Sequence, residues 1–198
     1  DVELGGNIKA LSTDISGGGD LELRAGLGSF KTSISGGGDA EITGGDKATE
    51  VSISISGGGD LEMNIGCQEL SVAISGGGDA EIEAGTDVNK AEVQVSGGGD
   101  LGLELVSNEL NLSIGGGGDA SLSGGSGKLK AVVKSGGDLY AYEFKVKDAD
   151  LQLSGGSDAK VNVSGSLNVT ANGGGQIYVT GDPQINANLT GGSKLHEK

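Results

Sequence analysis

The chain has 198 residues, 42 of them Gly, with one Pro, one Cys and a formal net charge of −15 at neutral pH. A single Pro and no Gly-X-Y period exclude collagen, and the regular alternation of apolar residues excludes a disordered chain despite the low aromatic content. So strong an acidity, with no basic stripe to offset it, excludes nucleic acid and anionic membrane surfaces as partners.

The charge is uneven: residues 1–100 carry 5 basic and 18 acidic side chains, residues 101–198 carry 8 and 10. Cys67 stands alone, so no intrachain disulfide forms. No apolar run approaches the roughly 20 residues that a membrane span requires. A chain that opens at Asp1 without Met is expected to have lost a leader.

One block organises the sequence. Ser16-Gly17-Gly18-Gly19-Asp20-Leu21-Glu22-Leu23 returns at Ser35, Ser56, Ser75 and Ser96, with looser copies around Asp119, Asp138 and Asp158 and a last one at Gly173 to Ile177. Successive Asp positions lie 19 to 21 residues apart, a period that marks a solenoid. Each repeat holds two strands. In the first, Leu21 and Leu23 face one way and Glu22 the other. In the second, Val51, Ile53 and Ile55, then Leu70, Val72 and Ile74, alternate with polar residues for longer. No segment has helical spacing. The predicted fold is an all-β parallel β-helix, right-handed by strand twist and crossover chirality, with residues 1–190 as one domain and 191–198 as a frayed C-terminal tail.

The Gly triplets are read as corners that need φ > 0 and no Cβ, because each corner stacks on the next. The Asp closing each corner is read as an acceptor for backbone N–H groups. The residue after that Asp alternates large and small: Leu21, Ala40, Leu61, Ala80, Leu101, Ala120, Leu139, Ala159. Stacking like on like predicts that the ~20-residue repeats pair into ~40-residue units, about five turns in all. Past residue 123 the pattern loosens. Lysines replace acids, Tyr140 to Phe144 brings in aromatics, and Pro183 precedes a final strand-like run whose exposed edge it would blunt.

Three sets of residues are candidates for chemistry. Stacked carboxylates at Asp20, Asp39, Asp60, Asp79 and Asp100 resemble the corners of calcium-binding β-rolls, although the period is twenty rather than nine; backbone capping is the favoured reading and calcium the alternative, with no other cofactor expected. Outward Glu3, Glu22, Glu41, Glu62 and Glu81 form an acidic face. Paired carboxylates of this kind hydrolyse glycosides elsewhere, but a catalytic site breaks a repeat locally and these acids sit in its most regular part, so no enzyme is expected. Tyr140 and Tyr178 share an outward slot, with Tyr142 nearby, and are the candidates for stacking on glycan rings. His196 is the only histidine, so neither a Ser-His-Asp nor a two-His metal site can be assembled. The glycosylation-type triplets at Asn111, Asn162, Asn168 and Asn188 read as the wet faces of strands.

The repeated Ile-Ser-Gly-Gly-Gly-Asp-Leu/Ala-Glu-Leu/Ile resembles the Gly-Ser-Gly-Asp repeats of the auto-transporter adhesin head family, the GIN domain, over most of residues 1–190. Gly-Gly-Gly stands here where that family often has Gly-Ser-Gly. The resemblance implies a β-helical protein of the bacterial cell envelope, surface-exposed, periplasmic or secreted, with a role as adhesin or scaffold and no catalytic residues to carry over. Its expected partners are an extracellular glycan or a host or matrix protein, and self-association through terminal rungs is expected as well. The alternative is a polysaccharide-binding or polysaccharide-cleaving protein with its site in the C-terminal half.

Overall fold

Inward Leu, Ile and Val alternate with outward Ser, Glu and Lys, and the chain buries the first set by winding them around one axis. The computed structural model describes residues 2–4, 7–45, 48–85 and 88–198, and for Val2, Glu3, Leu4, Asn7, Ala25 and Leu27 the backbone alone. The side chain of Glu3, predicted to head the acidic face, therefore lies outside the described residues. Among them the chain forms sixteen strands of one sheet, every pairing parallel, and no helix. About ten turns follow one another.

Two ladders run along the axis. In the first, Val2 pairs with Leu21, Leu21 with Ala40, Ala40 with Leu61, Leu61 with Ala80 and Ala80 with Leu101. In the second, Phe30 pairs with Val51, Val51 with Leu70, Leu70 with Ala91 and Ala91 with Leu110. The repeats stack at steps of about twenty residues, so the ~40-residue turn is wrong. From Leu21 to Ala159 the first ladder sets Leu on Ala and Ala on Leu. Like-on-like stacking is not barred by the ~4.8 Å rung spacing, since Leu103 lies on Leu122, Leu110 on Leu129 and Ile55 on Ile74. Backbone pairing at each turn, and not the matching of side chains, sets the turn length. The alternating step lengths do not require matched turns either. The register changes from a step of 19 at the Ala25–Gly44 pair to 21 at the Ser29–Glu50 pair, and from 19 at Asn64–Glu83 to 21 at Glu69–Lys90, so each longer step is absorbed between the two ladders.

The core is one continuous column with Leu23, Ile34, Ile53, Met63, Ile82 and Leu105 all fully buried. Phe144 is its bulkiest member. Thr32, Ser107, Ser126 and Ser157 are polar residues buried with it; the Thr32 Oγ1 is met by the Thr13 hydroxyl at 2.8 Å and Ser107 donates to Ser126 at 3.0 Å.

The corners differ from expectation in an informative way. In the regular copies at 36–38, 57–59, 76–78 and 97–99 no Gly has φ > 0; that conformation appears at Gly17 and in the looser copies, for example at Gly155, Gly156, Gly173 and Gly174. Close approach is what requires glycine in the regular corners. A Cβ on Gly57 would come within 1.9 Å of the Gly36 carbonyl oxygen, and one on Gly59 within 2.1 Å of the Gly38 oxygen, whereas nothing lies within 4 Å of one on Gly58. The corner carbonyls point along the axis and accept from the turn above: the Gly58 and Gly59 N–H groups both donate to Gly36 O, at 2.9 and 3.1 Å.

Residues 191–198 are not a frayed tail. Lys194–Glu197 forms a strand that pairs in parallel with Gln176–Val179, continuing the first ladder. Pro183 immediately precedes the strand Gln184–Thr190, at a position that donates no N–H to the ladder.

Candidate functional site

The Asp that closes each corner forms a ladder of its own. The N–H of Asp60 donates to Asp39 Oδ1 at 3.0 Å, Asp79 to Asp60 at 2.9 Å and Asp100 to Asp79 at 2.8 Å. The series starts at Asp20 and runs on through Asp119, Asp138 and Asp158, whose Oδ1 accepts from the Gln176 N–H. Each carboxylate thus caps the backbone of the next turn rather than its own corner. Beside this ladder, Glu22, Glu41, Glu62 and Glu81 stand in one column by register. Together they line an open acidic groove of about 830 Å³. Arg24 bridges two turns of it, 2.8 Å from Glu22 and 3.6 Å from Glu41. Among the described residues no three His, Cys, Asp or Glu side chains converge as a metal site.

The Glu column changes character at residue 102. Its next members are Gly102, Ser121, Tyr140, Lys160, Tyr178 and His196. Tyr140 and Tyr178 share the column as predicted, but they are two turns apart and not adjacent. Lys160 sits between them, its Nζ 4.6 Å from the centroid of the Tyr140 ring. Tyr178 is stacked by His196, with ring centroids 4.9 Å apart and planes 17° from parallel, and His196 Nε2 lies 2.9 Å from Gln176 Oε1. Lys198 covers Tyr142 and Tyr178 from 5.3 and 5.9 Å. The three tyrosines therefore belong to one cation-interleaved cluster, in which Tyr178 serves as packing and Tyr140 remains exposed.

The backbone is irregular at the same place. Ser121 pairs with Tyr140 but Gly124 with Phe144, so one extra residue is inserted around Ala141 to Glu143. A bulge of this kind re-aims side chains. It leaves the Tyr142 hydroxyl shielded from solvent and without a hydrogen-bond partner. The Tyr140 hydroxyl donates to Asp138 Oδ2 at 3.3 Å. Desolvation first, then the charges of Asp138 and Asp119, hold the Tyr140 phenol above its ordinary pKa, so it is a neutral donor at physiological pH. A cleft of about 490 Å³ opens between Glu81, Gly102, Ser121 and the bulge.

The candidates named from the sequence fall into two places: the five Asp residues along the ladder, and Tyr140, Tyr142 and Tyr178 in the cluster. Sequence reasoning missed the part played by Gly102 and Ser121. Their signal was present: read at steps of 19 to 21, the column gives five Glu, then Gly and Ser, then Tyr. The ~40-residue turn placed those residues in two separate columns.

Parallel strands, stacked glycine corners and a repeat whose outward Glu column gives way to other residues from Gly102 onward define this chain as a β-solenoid domain. Two overlapping stretches, residues 31–102 and 70–183, match the family described as "Putative auto-transporter adhesin, head GIN domain", and the chain belongs to that family. No curated protein matches it.

Proposed function

We propose that this domain is a non-enzymatic scaffold of the bacterial cell envelope, exported and displayed as an adhesin-type head. The observation that carries the reading is the use made of the repeated acids. Asp20 to Asp158 are committed to capping backbone N–H groups, so the most conspicuous carboxylates of the sequence serve the fold. What remains for function is a rod about 45–50 Å long, at ~4.8 Å per turn, with two long exposed faces. The family description supports a surface role. Among the described residues no helix is long and apolar enough to cross a membrane.

The test pairs protease accessibility of the protein on intact cells with binding of the purified chain to matrix proteins and glycans. Protection from protease on intact cells, with no adhesion by the purified domain, would contradict the reading. A second reading, polysaccharide binding through the C-terminal half, is favoured by one observation: the repeat breaks around Tyr140 and Tyr142, where the cleft lies.

A further inference from the structure

The Glu column shrinks to Gly and then Ser for two consecutive turns. Glu81 pairs with Gly102, Gly102 with Ser121 and Ser121 with Tyr140. Three rungs at ~4.8 Å put the backbones of Glu81 and Tyr140 about 14 Å apart, with only a hydrogen atom and a hydroxymethyl group between them. This is a notch cut into an otherwise uniform ridge. The Glu81 side chain bends into it, since a Cβ on Gly102 would run into its carboxylate.

The opposite wall is the Tyr140 ring. Lys160, one turn further on, covers one face of that ring. The neighbour on the other side is Ser121, too short to cover the second face. Tyr140 accordingly stays exposed, and its uncovered face looks along the axis into the notch. Tyr142 lines the same cleft, with its hydroxyl turned away from solvent.

We propose that this notch is a saccharide subsite, resting on the second reading above, and that it takes a neutral pyranose residue of a polysaccharide. The chemistry of the lining selects that class. An uncovered tyrosine face accepts the apolar C–H face of a pyranose. The Glu81 carboxylate accepts from sugar hydroxyls, and the Ser121 hydroxyl both donates and accepts. A pocket with one aromatic wall and a few converging polar groups is the usual form of a small-ligand site. Glu81, Asp138 and Glu143 outnumber the cationic Lys160 in and around the lining, a net negative charge that disfavours uronic acids and sulfated sugars. The notch is short, so it holds one or two residues of a chain that runs along the ridge.

The experiment titrates the full chain with short soluble oligomers of β-linked glucose, galactose, mannose and N-acetylglucosamine, using an oligouronate as the charge control. Binding is followed by saturation-transfer NMR and by tyrosine fluorescence, which is read without interference because the chain has no Trp. Gly102→Glu combined with Ser121→Glu rebuilds the column in the form the four preceding turns already carry. The atoms nearest a Cβ on Gly102 all belong to the flexible end of Glu81, so the backbone admits the change; its melting temperature is measured alongside, because stacked carboxylates repel. The expected result is saturable binding of at least one neutral oligomer, weakened at least tenfold by the rebuilt column and by Tyr140→Ala and kept within about threefold by Tyr140→Phe, which preserves the ring. Equal binding by wild type, the rebuilt column and Tyr140→Ala would remove the notch while leaving polysaccharide binding in place. No binding of any oligomer by the wild type would remove both. Oligouronate binding as tight as that of the neutral oligomers would overturn the assignment to neutral sugars.

Discussion

Two adjacent glycines separate the reason for the Gly-Gly-Gly corner from its appearance. Gly57 and Gly58 both have backbone conformations outside the left-handed region, so φ alone permits Ala at either. Their surroundings differ. A Cβ on Gly57 would stand 1.9 Å from Gly36 O, and ordinary contact requires that oxygen to retreat by more than about 1 Å. That oxygen accepts from Gly58 N at 2.9 Å and Gly59 N at 3.1 Å, and the movement breaks both bonds. Two lost bonds at about 1 kcal/mol each, with overpacking strain of about 1–3 kcal/mol, make Gly57→Ala destabilising by roughly 3 kcal/mol or more. Gly58→Ala meets nothing within 4 Å and should be neutral or stabilising by up to about 1 kcal/mol, because Ala restricts the unfolded chain. For a chain of this length the difference corresponds to roughly 6–12 °C in Tm. Urea titration and thermal melting by circular dichroism read it directly. Equal destabilisation by the two substitutions, or a larger effect at Gly58, would refute the close-approach account.

Other consequences can be checked in the same way. Asp60→Ala removes the acceptor of the Asp79 N–H and should cost about 1 kcal/mol, whereas Asp60→Asn keeps an oxygen there and relieves stacked charge, so its urea midpoint should match or exceed the wild type. Because the ladder is closed by backbone N–H groups, Tm should not respond to millimolar calcium; a rise by mass action would establish that ions join it. Burial pushes the Cys67 thiol from 9.0 up to about 11. The folded protein holds that proton more tightly than the unfolded chain, so this contribution is complete below pH 9 and lost as pH rises towards 11; Cys67→Ala should flatten that part of the stability–pH curve relative to wild type. Ala120, between Leu101 and Leu139 in the first ladder, has no room to grow, and Ala120→Leu should lower stability by about 1–3 kcal/mol in the same urea assay.

Much of the candidate site was written in the chain. Tyr140, Tyr142 and Tyr178 were legible as departures from a repeat, and the Asp residues as backbone caps, because both follow from residue type and period. The partners were not legible. That Asp60 serves the N–H of Asp79 and not its own corner depends on which turn lies above. That Lys160 covers one face of Tyr140 and His196 one face of Tyr178 depends on a register the sequence read at double its true length.

Residue order alone set the all-β class, the two strands per repeat, the inward and outward residues and the glycine corners. These are consequences of period-two alternation and of a fixed spacing, and neither needs a neighbour to be known. Tertiary structure decided what stacks on what. It set Leu21 on Ala40 but Leu110 on Leu129, because the backbone pairs each strand with its copy one turn of about twenty residues away, whatever side chains that brings together. It drew residues 194–197 into the ladder, because an extended segment beside an unpaired strand edge gains its hydrogen bonds there. It also turned a lapse of side chains at Gly102 and Ser121 into a notch facing Tyr140, which only the parallel register of successive turns could place side by side.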